Sequence, residues 1–257
     1  MTNPSNDTLP VPTIIFEDEW LIALNKPAGW VVNRAESVRE ATIQDWLETS
    51  FPALYALAQT QSNKTFMDRS GVAHRLDKET SGVLLVAKNS RSLASVMDLF
   101  KKRLMTKHYT ALVHGKVQPS SGFVRLPLAR NIYNRSQFSV DPLGKTAHTD
   151  YVVVSHYTKP QGQAHNQNYS LLKLAPKTGR THQIRVHCKY IGHPLVSDAL
   201  YASKNQLVVD LTWCSRHFLH ASNLAFVHPE TQQTIHFEAP LPDDLQVALA
   251  HLNKTKT

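Results

Sequence analysis

At 257 residues and 42% hydrophobic content, the chain can bury a sizeable core, as one large domain or two small ones, and its composition is that of a globular protein. A formal charge of +8 favours a polyanionic partner, although an acidic membrane surface would attract the same residues. Two cysteines, Cys188 and Cys214, exclude a disulfide framework, no apolar run approaches a membrane span, and Met1 to Pro12 carries no signal-peptide pattern, so a cytoplasmic protein with two free thiols is expected.

Thr13 to Phe16 and Leu21 to Asn25 are apolar runs around Glu17-Asp18-Glu19-Trp20, the pattern of paired strands. Apolar spacing from Thr42 predicts a helix that stops before Pro52, and the polar, aperiodic stretch Ala58 to Arg69 reads as a loop. The run Val83 to Ala87 is a buried strand that follows directly on the ionisable segment Gly71 to Gly82, so those polar residues hang on a rigid edge. From Ser90 to Leu104 a helix is predicted with Ser90 as cap and Leu93, Val96, Met97, Phe100 and Leu104 as its apolar stripe. Strands follow at Tyr109 to Val113, Phe123 to Leu128, Gln137 to Val140, Ala147 to Val154 and Tyr169 to Leu174, with an exposed loop at Gln161 to Asn168. Arg180 to Tyr190 reads as a short helix with His182, Arg185 and Lys189 on a charged face and Ile184, Cys188 and Ile191 on a packing face. Two further strands, Phe218 to Phe226 and Thr234 to Phe237, precede a last helix beginning at Pro242. Strands following strands without regular helical crossovers make this an α+β chain.

His74-Arg75-Leu76-Asp77-Lys78-Glu79-Thr80-Ser81-Gly82 closely resembles the catalytic signature of the RluA-type family of RNA pseudouridine synthases. Leu24-Asn25-Lys26-Pro27-Ala28-Gly29 is similar to that family's first motif, Lys107 to Gly115 to its tyrosine strand, and Gly179 to His187 to its arginine motif, so the resemblance spans Ile14 to Pro240. It implies a single catalytic domain over residues 13–253, between disordered tails at 1–12 and 254–257, built on a central, mostly antiparallel sheet with flanking helices and a central cleft. Many family members carry an S4-type RNA-binding module before that domain; with only about a dozen residues before the first strand, none is expected here.

Pseudouridine formation breaks the C1'–N1 bond of uridine, turns the uracil and joins its C5 to the same sugar carbon, with no net oxidation or hydrolysis, so no cofactor is expected. The resemblance implies Asp77 as the nucleophile, acting by attack on C1' or by removing a sugar proton. A carboxylate beside His74 and Arg75 suits a group kept ionised by cations. The resemblance further implies Arg185 as the partner of Asp77, with Arg180 its rival, Tyr109 as the ring against uracil, and Arg75 as the occupant of the space an extruded nucleotide leaves. Extrusion is required because neither C1' nor N1 of a stacked nucleotide is within reach of a side chain. His74, Lys26, Arg180 and His182 join Arg75 as expected substrate contacts, and Lys26, Lys78, Lys88 and Lys107 are candidates for phosphate, each weighed against an ordinary surface lysine. The Pro and Gly of the first motif suit a tight turn. Where the family often has His shortly after that Gly, this chain has Asn33-Arg34.

Cys214, His217 and His220 have ligand-type spacing, but with no second cysteine pair, and with Arg216 placing a cation beside any ion, no metal is expected. The expected function is therefore an RNA uridine isomerase acting on structured tRNA or rRNA, a monomer with no obligatory protein partner. The alternatives are a catalytically silent RNA-binding or folding factor, which would have no need of Asp77, and a nucleoside hydrolase, for which no acidic cluster is evident.

Overall fold

The computed structural model of the chain describes residues 9–60, 64–159 and 167–255, and these divide into two compact units. The first comprises residues 1–105 and 223–240, the second residues 106–222 and 241–257.

In the first unit, β1 (Thr13–Glu17) and β2 (Leu21–Lys26) pair antiparallel, as the two apolar runs predict, and Asp18 Oδ1 closes the turn by accepting from the N–H groups of Trp20 and Leu21. Thr42 and Asp45 form a reciprocal cap for α1 (Ile43–Ser50). Of the stretch expected as a loop, Ala58 to Arg69, residues 58–60 belong to α2 (Pro52–Thr60), residues 64–69 form α3 (Lys64–Arg69), and residues 61–63 lie outside the described residues. Tyr55 and Phe66 stack and are buried, which gives these short helices an apolar anchor that a search for a continuous stripe does not find. In β3 (Ser81–Ala87), antiparallel to β2, every residue is buried, so its apolar run is continuous rather than alternating. The next helix, α4 (Ser90–Lys102), is capped by Asn89 rather than Ser90, because Asn89 has the extended backbone and its side chain accepts from Ser92 N–H. Leu93 and Val96 are buried along α4, but Leu104 lies beyond its end and is exposed.

The second unit opens with β4 (Thr106–His114), followed by β5 (Ser121–Val124), β6 (Leu128–Arg130), β7 (Phe138–Val140), β8 (Thr149–Lys159) and β9 (Gln167–Pro176). Antiparallel pairing gives the order β4-β9-β8, with β5 also on β8, and β6 pairs with β7 separately. Of the expected loop at Gln161 to Asn168, residues 161–166 lie outside the described residues and 167–168 belong to β9. Two helices follow, α5 (Gln183–Tyr190) and α6 (Lys204–Asp210), the latter unforeseen because one short turn of apolar residues carries little periodicity. Ala111, Val113, Leu172 and Leu174 pack with Ile184 and Cys188 of α5, burial worth about 1.5–3 kcal/mol for each large aliphatic side chain.

Strand β10 (Leu219–Val227) runs from the second unit into the first, where β11 (Thr234–Glu238) pairs with it. Pro242 is the N-cap of α7 (Asp243–Ala250), and β12 (Asn253–Thr255) pairs with β8, so residues 254 and 255 are strand rather than tail. Residues 1–8 and 256–257 of the expected tails lie outside the described residues, while the carbonyl of Pro10 accepts a hydrogen bond from the Trp30 indole. The architecture is mixed α+β, with few helices and a large, mostly antiparallel sheet.

Candidate active site

The loop bearing Asp77 is held in the first unit mainly by main-chain groups. Before it, Gly71 O accepts from Ala87 N–H and Ala73 N–H donates to Leu85 O, which ties residues 71–73 to β3. Gly71 has a φ of 75°, and a Cβ there would lie 2.1 Å from the carbonyl oxygen of Ala87, so only glycine lets the two backbones meet. Thr80 N–H donates to Asp77 O at 3.0 Å, closing the turn before β3. His74 is half-buried beside the Phe100 ring, and its Nε2 accepts from Leu85 N–H at 2.9 Å, which assigns the ring proton to Nδ1. Arg75 is exposed, and Asp77 is half-buried.

Lys26 is not a surface lysine. It is 0% exposed, and its ammonium donates to the carbonyls of Pro27, Trp30 and Lys78 at 2.9–3.0 Å. Those three acceptors match its three N–H donors, which corrects its expected place among the phosphate contacts: it is the strut of the tight turn after β2. Gly29 N–H donates to the same Lys78 carbonyl, so the first motif and the Asp77 loop share one anchor. At the surface, Lys78 pairs with Glu40 and Lys88 with Glu17, each at 2.8 Å. Arg34 is pinned by Asp45 and Glu48, whose hydrogen bonds hold its pKa above the ordinary arginine value.

In the second unit the arginine motif is held by side chains. Gln183 accepts from Thr178 Oγ1 and Arg180 N–H and donates to His148 O and Thr149 Oγ1, fixing the start of α5. His187, one turn on, contacts Thr149 Oγ1 and Leu126 O, and burial pushes its pKa down. Arg185 is 5% exposed and meets the fully buried Asp198 through two parallel contacts of 2.8 Å, Nε to Oδ2 and Nη2 to Oδ1. The expected charged face of α5 is thus partly interior, because Asp198 compensates the arginine there. The Arg185 guanidinium also lies 5.1 Å from the Tyr201 ring. The Tyr201 hydroxyl accepts from Phe138 N–H and sits 2.8 Å from His182 Nδ1, and His182 takes a left-handed φ of 54° at the start of the helix. Arg180, the rival, donates through Nε to the carbonyl of Thr146.

Neither Asp198 nor Tyr201 was among the expected site residues. A signal was present: Asp198 is the sole acid between Lys177 and Asp210, in a stretch that also holds Arg180, Arg185, Lys189 and Lys204. Tyr109 lies on β4 opposite Leu174, half-buried against the apolar core. Lys107, two residues earlier on the same face, donates to Thr178 O at 3.2 Å, and burial lowers its pKa to about 8. Cys214 donates to Arg216 O from a buried position that raises its pKa, and no group of three metal-binding side chains gathers among the described residues.

A family profile described as RNA pseudouridylate synthase matches residues 20–190. The chain is 35% identical over 241 residues to the RNA pseudouridine synthase YlyB of Bacillus subtilis (strain 168), covering 94% of this chain and 73% of that one. It is likewise 35% identical over 257 residues to ribosomal large subunit pseudouridine synthase D of Vibrio cholerae, covering 95% of this chain and 73% of that one. Among solved structures, human RNA pseudouridylate synthase domain containing 1 superposes with a TM-score of 0.72 at 28% identity, covering 99% of this chain and 92% of that one. With motif order, fold and relatives in agreement, the chain belongs to the RNA pseudouridylate synthase family and is an isomerase of RNA uridine.

Proposed function

We propose that this isomerase converts specific uridines of ribosomal RNA to pseudouridine, with Asp77 as the reacting carboxylate. The observation that carries the reading is the clamped loop: a nucleophile must be held within a fraction of an ångström, and main-chain bonds on both flanks of Asp77 supply that rigidity. Ribosomal RNA is favoured over tRNA because several of the relatives are named as ribosomal large subunit synthases.

The reaction conserves atoms. Asp77 acts at the sugar as the C1'–N1 bond breaks, the detached uracil turns, C5 bonds to C1', and the C5 hydrogen leaves as a proton while N1 gains one. Tyr109 offers a ring against uracil and a hydroxyl near the base. Arg185 is assigned as the partner of the reacting carboxylate. With Asp198 already balancing its charge, what it contributes is direction more than net charge. Arg75 takes the space left by the extruded nucleotide, and the chain acts on RNA as a monomer in the cytoplasm.

The test is to incubate the protein with total RNA from cells lacking its gene and map new pseudouridines. Sites in rRNA are expected; sites confined to tRNA would overturn the substrate assignment. RNA carrying 5-fluorouridine at the mapped site separates the reaction classes, since fluorine at C5 cannot depart as a cation. A rearranged product or an adduct is expected, whereas free 5-fluorouracil would mean hydrolysis and unchanged RNA a silent binding protein.

A further inference from the structure

In the second unit, the sheet of β4, β9, β8 and β5 has two faces. Tyr109, Leu174 and Tyr151 lie on one of them, where Ile184 and Cys188 of α5 pack. The register defines the other. Phe123, Asp150 and Ala175 stand side by side in one row, and Ser121, Val152, Lys173 and Thr110 form the next, two residues along each strand. Phe123 is 62% exposed and its diagonal neighbour Val152 is 51% exposed, so a large ring and a branched aliphatic side chain meet solvent together.

The charges around that ring are mostly of one sign. Arg125 Cζ lies 5.1 Å from the Phe123 ring centroid, and the His148 ring meets it edge-on at 5.9 Å. Asp150 is the one carboxylate in the two rows, and both of its oxygens are engaged, Oδ1 by His148 at 2.7 Å and Oδ2 by Lys177 at 3.2 Å. Arg125 and Lys173 are exposed, and neither makes an ion pair among the described residues.

We propose that this face of β5, β8 and β9 is a docking surface for single-stranded RNA, with an unpaired base stacked on Phe123 and the sugar-phosphate backbone drawn along Arg125 and Lys173. Charge complementarity selects the occupant: cations around an exposed ring match a polyanion that carries planar bases. Every base has a π-face, so the surface accepts RNA with little regard to sequence. Because it lies on the opposite face of the sheet from Tyr109, the nucleotides it holds are not the reacting uridine. The inference rests on RNA being the substrate and adds a second point of attachment, which raises the effective concentration of the target around the reacting site.

The experiment uses the full chain and a fluorescein-labelled 12-nucleotide oligoadenylate, which offers no uridine to isomerise, with Kd read by fluorescence anisotropy. Phe123→Ala, at an exposed position that spares folding, is expected to raise Kd about tenfold, the size of one lost base–aromatic stack. Phe123→Trp keeps the stack, so its Kd should stay within about twofold while the added indole emission is quenched by the RNA. Lys173→Gln should reduce the log–log slope of affinity against salt by about 0.7, the value for one phosphate of a single strand. An unchanged Kd for Phe123→Ala, an unquenched Phe123→Trp or an unaltered slope for Lys173→Gln each overturns the surface. So does sedimentation that shows a wild-type dimer and a Phe123→Ala monomer, since the face would then join two copies of the chain. Pseudouridine formation by the wild type is scored separately: turnover without an effect of Phe123→Ala on oligoadenylate removes the surface and keeps the isomerase, and that effect without turnover does the reverse.

Discussion

The Asp77 loop and the α5 region are both fixed, but by different means. Around Asp77 the holding contacts are mostly main-chain groups and one buried ammonium, so the side chains that face solvent carry little of the architecture. Around Arg185 the holding contacts are side chains: Gln183, His187, Asp198 and Tyr201. In the first region chemistry and stability are separable by substitution. In the second they are carried by the same atoms.

The sharpest way to break this contrast is to compare Asp77→Asn with Asp198→Asn. Asp77→Asn should abolish pseudouridine formation, a loss of at least about a thousandfold for removing the reacting group, with RNA affinity held within a few-fold. Asp198→Asn should reduce turnover and also destabilise the protein by about 3–5 kcal/mol in urea denaturation, because it leaves the Arg185 charge buried without its counter-ion. If Asp77→Asn costs as much stability as Asp198→Asn, the distinction fails.

Lys26→Met probes the buried ammonium that ties the turn after β2 to the Asp77 loop. Stripping three buried or half-buried carbonyls of their donor should cost at least about 2 kcal/mol, read from the same denaturation curves, and should lower turnover by loosening Lys78. An unaffected midpoint would mean that main-chain bonds suffice.

Lys107 gives a pH test within the second region. Its folded pKa of about 8 lies below the ordinary 10.5, so its charge is present below about pH 8 and lost above it. Turnover that uses this cation should fall as pH rises through about 8, and Lys107→Arg should push that limb upward. The linked stability runs the other way: the burden of burying the charged ammonium is full below about pH 8 and is relieved between about 8 and 10.5, where the unfolded chain binds the extra proton. A flat turnover profile from pH 7 to 9.5 would remove Lys107 from the reaction. The smallest effect is expected of Tyr109→Phe, which keeps the ring and so keeps RNA binding while turnover falls. Equal turnover would confine Tyr109 to packing.

Legibility in the sequence followed the range of the forces involved. Periodicity and capping signals act over a few residues, and β1, β2, α1, β3 and α4 are readable from them. The helices α2 and α3 were missed because what stabilises them is the contact between Tyr55 and Phe66, eleven positions apart. The same holds for function. Asp77 stands inside a contiguous motif, whereas Asp198 acquires its meaning only when folding carries it to Arg185, 13 residues away. Lys26 was misplaced because lysine is so seldom buried, and nothing local announces three carbonyls turning toward one ammonium.

Because β10 passes from one unit into the other, each unit is stitched from two stretches of chain, 1–105 with 223–240 and 106–222 with 241–257. A ribosome making this protein releases most of the first unit early, yet its closing strands arrive only about 135 residues later. At about 5–20 residues per second that is a wait of roughly 7–27 s, during which the nascent Asp77 segment has its neighbours from β2 and β3 but not the chain that completes its unit. Neither unit is a contiguous fragment that a single cut could release, so inheritance, expression and proteolytic dissection of the two must go together.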